Sequence, residues 1–199
     1  MGYYIRALGV RDIDVPIAEL VSCLDGRFDL QVETEREGRW SQLLLLHKGA
    51  REIALIERNP VVPGSLGHEE IQEFVDEVRD AKPSSAARWL EGYFPQVKVI
   101  YAFQILSGAD QNGGWSAVYK IQDCIRKKCG GIVQADLEGF YNENGHQILW
   151  QFVKDKDGAW NMAVLDQEQN WIPFEMRLDD AGQRAAFLEG RVPPDVKLL

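Results

Sequence analysis

Two stretches decide how this chain reads: Gly49–Glu57, GAREIALIE, and Gly158–Asp166, GAWNMAVLD. Both open on Gly-Ala and close on four apolar residues followed by an acid. Working outward, Gln42-Leu43-Leu44-Leu45 precedes the first as Gln147-Ile148-Leu149-Trp150 precedes the second. Val62-Pro63 follows the first as Ile172-Pro173 follows the second. Each counterpart comes at a near-constant offset, so the chain reads as one pattern written twice.

Periodicity supplies the elements. Phe28, Leu30 and Val32 alternate with Asp29, Gln31 and Glu33, the signature of a half-buried strand. SQLLLLHK from Ser41 and GAREIALIE from Gly49 then form a hairpin. Ile71, Phe74, Val75 and Val78 have helical spacing behind an N-cap at Ser65 or Gly67-His68, and Ser84 or Ser85 is placed to cap a second helix before Ala86. The second half restarts with a strand at Val97–Leu106, a loop, and a helix from Trp115 to Cys129 closed by Gly130-Gly131. Strands follow at Ile132–Tyr141, His146–Val153, Ala159–Asp166 and Asn170–Leu178, then a helix at Asp179–Gly190 and a tail.

The expected fold class is therefore α+β: two tandem similar modules of order β-α-β-β-β-α, residues 1–95 and 96–199. Their antiparallel sheets pack as an internal pseudo-dimer in one compact unit.

Composition excludes several classes. The chain has 199 residues, 22 Lys and Arg against 31 Asp and Glu, and a formal charge of −9. That balance argues against a nucleic-acid partner, whose phosphates call for clustered cations. The one basic run, Arg126-Lys127-Lys128, sits in the last turn of the expected helix, where cations complement the dipole. No apolar run is long enough for a membrane span, and MGYYIRALGV reads as a strand and not a leader. Three cysteines, Cys23, Cys124 and Cys129, suit reduced thiols and a cytoplasmic location. Cys124 and Cys129 lie about 140° apart around their helix, poor geometry for a shared metal.

Candidate chemistry concentrates in GGIVQADLEGFYNENGHQILWQF, Gly130–Phe152. On a strand, Gln134, Asp136 and Glu138 share one face, and His146 follows across the NENG turn. Two carboxylates and an imidazole are the catalytic candidates of a small hydrolase or metal-dependent lyase. Tyr141, Trp150, Gln151 and Trp160 are the ligand-binding candidates, at an inter-module cleft. No second His or Cys stands at ligand spacing, so no metal site and no cofactor are expected. LSGADQNGGW lacks a phosphate-loop pattern and PGSLG lacks nucleophile-elbow spacing. His47 and His68 stand alone and read as surface residues.

The segment NENGHQILW, Asn142–Trp150, resembles the Asp-Pro-Asp-Gly turn and following strand of the vicinal oxygen chelate family, which is built from paired βαβββ modules and often uses metal. The position of that family's metal-binding Glu falls near Leu149. The resemblance thus implies a duplicated barrel-like fold without the metal.

The expectation for function is a soluble, bacterial-type, non-enzymatic binding or interaction protein of inhibitor or immunity character, with a protein or small-molecule partner. The alternatives are a carrier with a ligand between the modules, or the small enzyme centred on Asp136, Glu138 and His146.

Overall fold

The computed structural model describes residues 2–36, 38–48, 51–152 and 156–199. In chain order the elements are β1 (Tyr3–Gly9), α1 (Ile17–Ser22), β2 (Phe28–Arg36), β3 (Arg39–His47), β4 (Arg51–Pro60), α2 (Leu66–Val78), α3 (Ser84–Tyr93), β5 (Val99–Ile105), α4 (Gly114–Cys129), β6 (Gly131–Ala135), β7 (Gly139–Tyr141), β8 (Ala159–Leu165), β9 (Trp171–Arg177), α5 (Ala181–Leu188) and β10 (Lys197–Leu198). The fold is α+β, with a large antiparallel sheet and, among the described residues, five α-helices. None of those helices is long and apolar enough to cross a membrane.

The chain divides into two compact units, each assembled from two stretches: Met1–Glu69 with Val97–Gly131, and Glu70–Gln96 with Ile132–Leu199. Neither unit is a sequential half of the chain.

The first unit carries strands in the order β2-β3-β4-β5-β1, every neighbouring pair antiparallel. β5 lies in the middle of this set, and Val99 through Phe103 are all buried. A continuous apolar run is what a strand covered on both faces requires. β2 keeps the expected alternation, with Phe28 inward and Asp29, Gln31 and Glu33 exposed. α4 buries Ala117, Val118, Ile121, Ile125 and Cys129, a helical stripe, and ends on Gly130 in the left-handed conformation, whose N–H donates to the Arg126 carbonyl. Ser65 caps α2 as expected: its hydroxyl oxygen accepts from the His68 N–H at 3.2 Å.

The second unit holds α3, most of α2, the β6–β7 hairpin, and a three-stranded sheet of order β10-β9-β8. Phe140 meets Phe74 edge-on at 5.5 Å and Phe94 at 5.7 Å. A further core joins Met162, Val164, Phe174, Met176, Leu178 and Phe187. α3 departs from the expected capping. Pro83 is the N-cap residue, with no side-chain bond, and its carbonyl accepts the first helical N–H from Ala87 at 3.1 Å. Proline's fixed φ already sets the chain for helix entry.

Three expectations are corrected. The strand read over Ile132–Tyr141 is broken by a turn at Asp136–Glu138, where Leu137 takes φ +63°. No strand runs through His146–Phe152; only isolated bridges occur there, Tyr141 to Gln147, Gln147 to Met162 and Lys82 to Trp150. The rest of that expected strand, and part of the turn after it, fall at 153–155, outside the described residues. The tail adds a short strand, β10, paired with Phe174 and Glu175.

The two opening stretches occupy different places. Gly49-Ala50 lie outside the described residues, but Arg51–Glu57 belong to β4, an interior strand between β3 and β5. Ala159–Leu165 form β8, the edge of a three-stranded sheet. The strands that open each half, β1 and β5, pair with each other about Arg6 and Ala102.

Candidate functional site

Of the residues singled out in the sequence, Asp136 and Glu138 sit in the turn between β6 and β7 and not on a strand face, because the left-handed Leu137 breaks the alternation. Glu138 is engaged: its Oε2 accepts the Tyr141 hydroxyl at 2.6 Å, and its backbone carbonyl accepts from the Gln147 side-chain amide and, at 3.3 Å, from the Gln151 N–H. Gln151 reaches Glu77 Oε1 at 3.0 Å. His146 closes a turn in which Asn142 Oδ1 accepts from the Asn144 and His146 N–H groups, both at 3.0 Å. Its Nδ1 is buried without a partner, so that atom contacts neither carboxylate. Burial pushes the imidazole pKa down, opposed by Glu143. Among the described residues no group of three or more His, Cys, Asp or Glu is placed to hold a metal ion.

Trp150 and Trp160 pack against the core of the second unit, with Phe152 between them at 4.8 and 5.1 Å. Arg184 lies over the Trp150 ring at 5.9 Å. Their half-buried surfaces belong to that aromatic ladder.

A different cluster, in the first unit, has the form of a site. β2 and β3 pair so that Phe28 faces His47, and the Lys48 N–H donates to the Arg27 carbonyl at 2.8 Å. β3 and β4 pair so that His47 faces Arg51. This register gathers Arg27, His47, Lys48 and Arg51 at one end of three neighbouring strands. With Gly26 and Asn112 they line a cavity of about 700 Å³.

Two contacts fix the walls. His47 Nε2 donates to the Gly108 carbonyl at 3.2 Å, since a carbonyl can only accept, and its ring lies 5.1 Å from Phe28. Gly108 presses on β4 so closely that a Cβ there would run into the Glu52 carbonyl oxygen. Arg27 donates from Nε and Nη2 to Asp25 at 3.1 and 2.9 Å. Lys48 and Arg51 have no acidic partner among the described residues. The one basic run noted in the sequence behaves differently: Arg126 and Lys127 both pair with Asp123, and Lys128 pairs with Glu19.

The sequence reading missed this cluster because its members are scattered over residues 26–112. The hairpin expected from the sequence, Ser41–Lys48 with Gly49–Glu57, holds only the His47–Arg51 part of it; the pairing of β2 with β3 that brings Arg27 beside Lys48 is not among the expectations. The chain matches no family model, no curated protein and no solved structure.

Proposed function

We propose that this protein is a non-enzymatic binding protein whose ligand carries a carboxylate or phosphate group and is held in the Arg27–His47–Lys48–Arg51 cavity. The observation that carries the reading is a convergence of three cationic side chains in a chain of net charge −9, two of them without an acidic partner among the described residues. Grouping like charges is unfavourable, and an anion relieves it. The remaining acidic surface repels long polyanions, so the reading favours a small anion or one acidic side chain of a partner protein over a nucleic acid. A cavity of about 700 Å³ has the size of a small-molecule site. His47, with Nε2 committed to Gly108, serves as a wall and not as a base.

Titration calorimetry at low ionic strength tests this, with citrate, inorganic phosphate and an acidic peptide as probes. Binding of at least one probe is expected, weakened about tenfold in Lys48→Ala/Arg51→Ala and weakened by salt. Citrate or phosphate binding alone points to a carrier. Peptide binding alone points to a protein partner. Binding that survives the double substitution, or none at all, overturns the site.

A further inference from the structure

A second cavity of the first unit, about 420 Å³, is lined by Cys23, Cys124, Lys120, Asp123, Lys127 and Lys128. Cys23 is the C-cap residue of α1 and its Sγ donates to the Glu19 carbonyl at 3.4 Å. Cys124 stands in the middle of α4. They lie about a hundred residues apart in sequence, yet α1 packs against α4 and two ion pairs, Lys128 with Glu19 and Lys120 with Asp25, flank the two cysteines, so that both line the same cavity. Both are partly exposed. The third thiol is different in kind: Cys129 is fully buried, donates to the Arg126 carbonyl at 3.7 Å, and is packed so closely against Gly9 that a Cβ there would lie 2.7 Å from its sulfur.

We propose that Cys23 and Cys124 form a redox-responsive dithiol, a modification site oxidised to a disulfide by low-molecular-weight disulfides. In the first step the Cys23 thiolate attacks one sulfur of the small disulfide. A mixed disulfide forms on Cys23 and one small thiolate leaves. Cys124 then gives its proton to solvent and attacks Cys23 Sγ, expelling the second small thiolate. The protein loses two electrons and two protons; the small disulfide is reduced to two thiols.

Burial above all, with the neighbouring Cys23 sulfur, pushes the Cys124 thiol up to about 12, which leaves the first attack to Cys23. In the resolving step the neighbouring Lys128 favours the Cys124 thiolate. The product ties α1 to α4 and closes a loop of about a hundred residues, a long constraint on the unfolded chain.

Incubation of the folded full-length chain with glutathione disulfide tests this, read by intact mass and peptide mapping. Expected is a protein lighter by two hydrogens with a Cys23–Cys124 crosslink, no modification of Cys129, and a melting temperature higher by on the order of 10 °C until a dithiol reductant is added. Cys124→Ser should stop at a glutathione adduct on Cys23, and Cys23→Ser should react far more slowly. A wild-type protein that stays fully reduced, that ends as a stable adduct, or that crosslinks through Cys129 overturns the proposal.

Discussion

Asp25 grips Arg27 by both carboxylate oxygens, at 3.1 Å to Nε and 2.9 Å to Nη2, and also accepts the Arg27 backbone N–H at 3.0 Å. The Arg27 guanidinium holds the Asp25 carboxyl down at about 2. Asp25, beside the cationic cavity, is therefore ionised throughout the neutral range. It subtracts from the charge that Arg27 offers a ligand.

Asp25→Asn should strengthen anion binding by about two- to fivefold, the range of an exposed pair, and steepen its salt dependence. Calorimetry with the best probe at two salt concentrations checks this. Asp25 favours the folded state above its ordinary value of 3.8, and that contribution is lost as pH falls toward 2. The substitution should leave the stability profile between pH 5 and 8 unchanged.

Gly108→Ala should destabilise by about 3 kcal/mol, because the added methyl meets the backbone of Glu52 and not a side chain that can swing away. It should weaken anion binding as well, since the carbonyl that tethers His47 must shift. Urea denaturation and the same calorimetric titration separate the two effects.

His146 is a base whose pKa is lowered in the folded state. The unfolded chain then takes up its proton first, so stability is retained above the ordinary value of 6.5 and declines as pH falls below it. His146→Gln should flatten thermal melting profiles between pH 7 and pH 5 relative to the parent chain.

Gln147 is fully buried and its amide donates to two carbonyls, Glu138 and Leu149. Gln147→Leu removes both donations and leaves the Glu138 carbonyl only the Gln151 N–H, and should cost about 2–4 kcal/mol. Chemical denaturation measures it, with faster hydrogen exchange over the Asn142–His146 turn.

The legible parts of this chain are those whose signal is local. Phe28, Leu30 and Val32 declared β2, and Ser65 declared the start of α2. The apolar stripe of α4 and the glycine behind it fixed both ends of a helix. What escaped was set by a single backbone angle or by distance along the chain. A left-handed Leu137 carries no composition signal, yet it moves Asp136 and Glu138 off a strand face. Asn142 and Gln147 look like surface amides, but burial turns them into the bonds that replace a sheet ladder through His146–Phe152. The meeting of Cys23 with Cys124, and of Asn112 with Arg27, rests on helix and loop packing across dozens of residues, where periodicity is silent.

β5 has one more consequence, in time. Its backbone is hydrogen-bonded on both sides, to β4 and to β1, and five successive side chains are enclosed. Partial openings that release the outer strands leave it paired. The amide protons of Val99–Phe103 should exchange with solvent only when the whole unit opens, which makes this strand the last to let go and its exchange rate a direct reading of that unit's global stability.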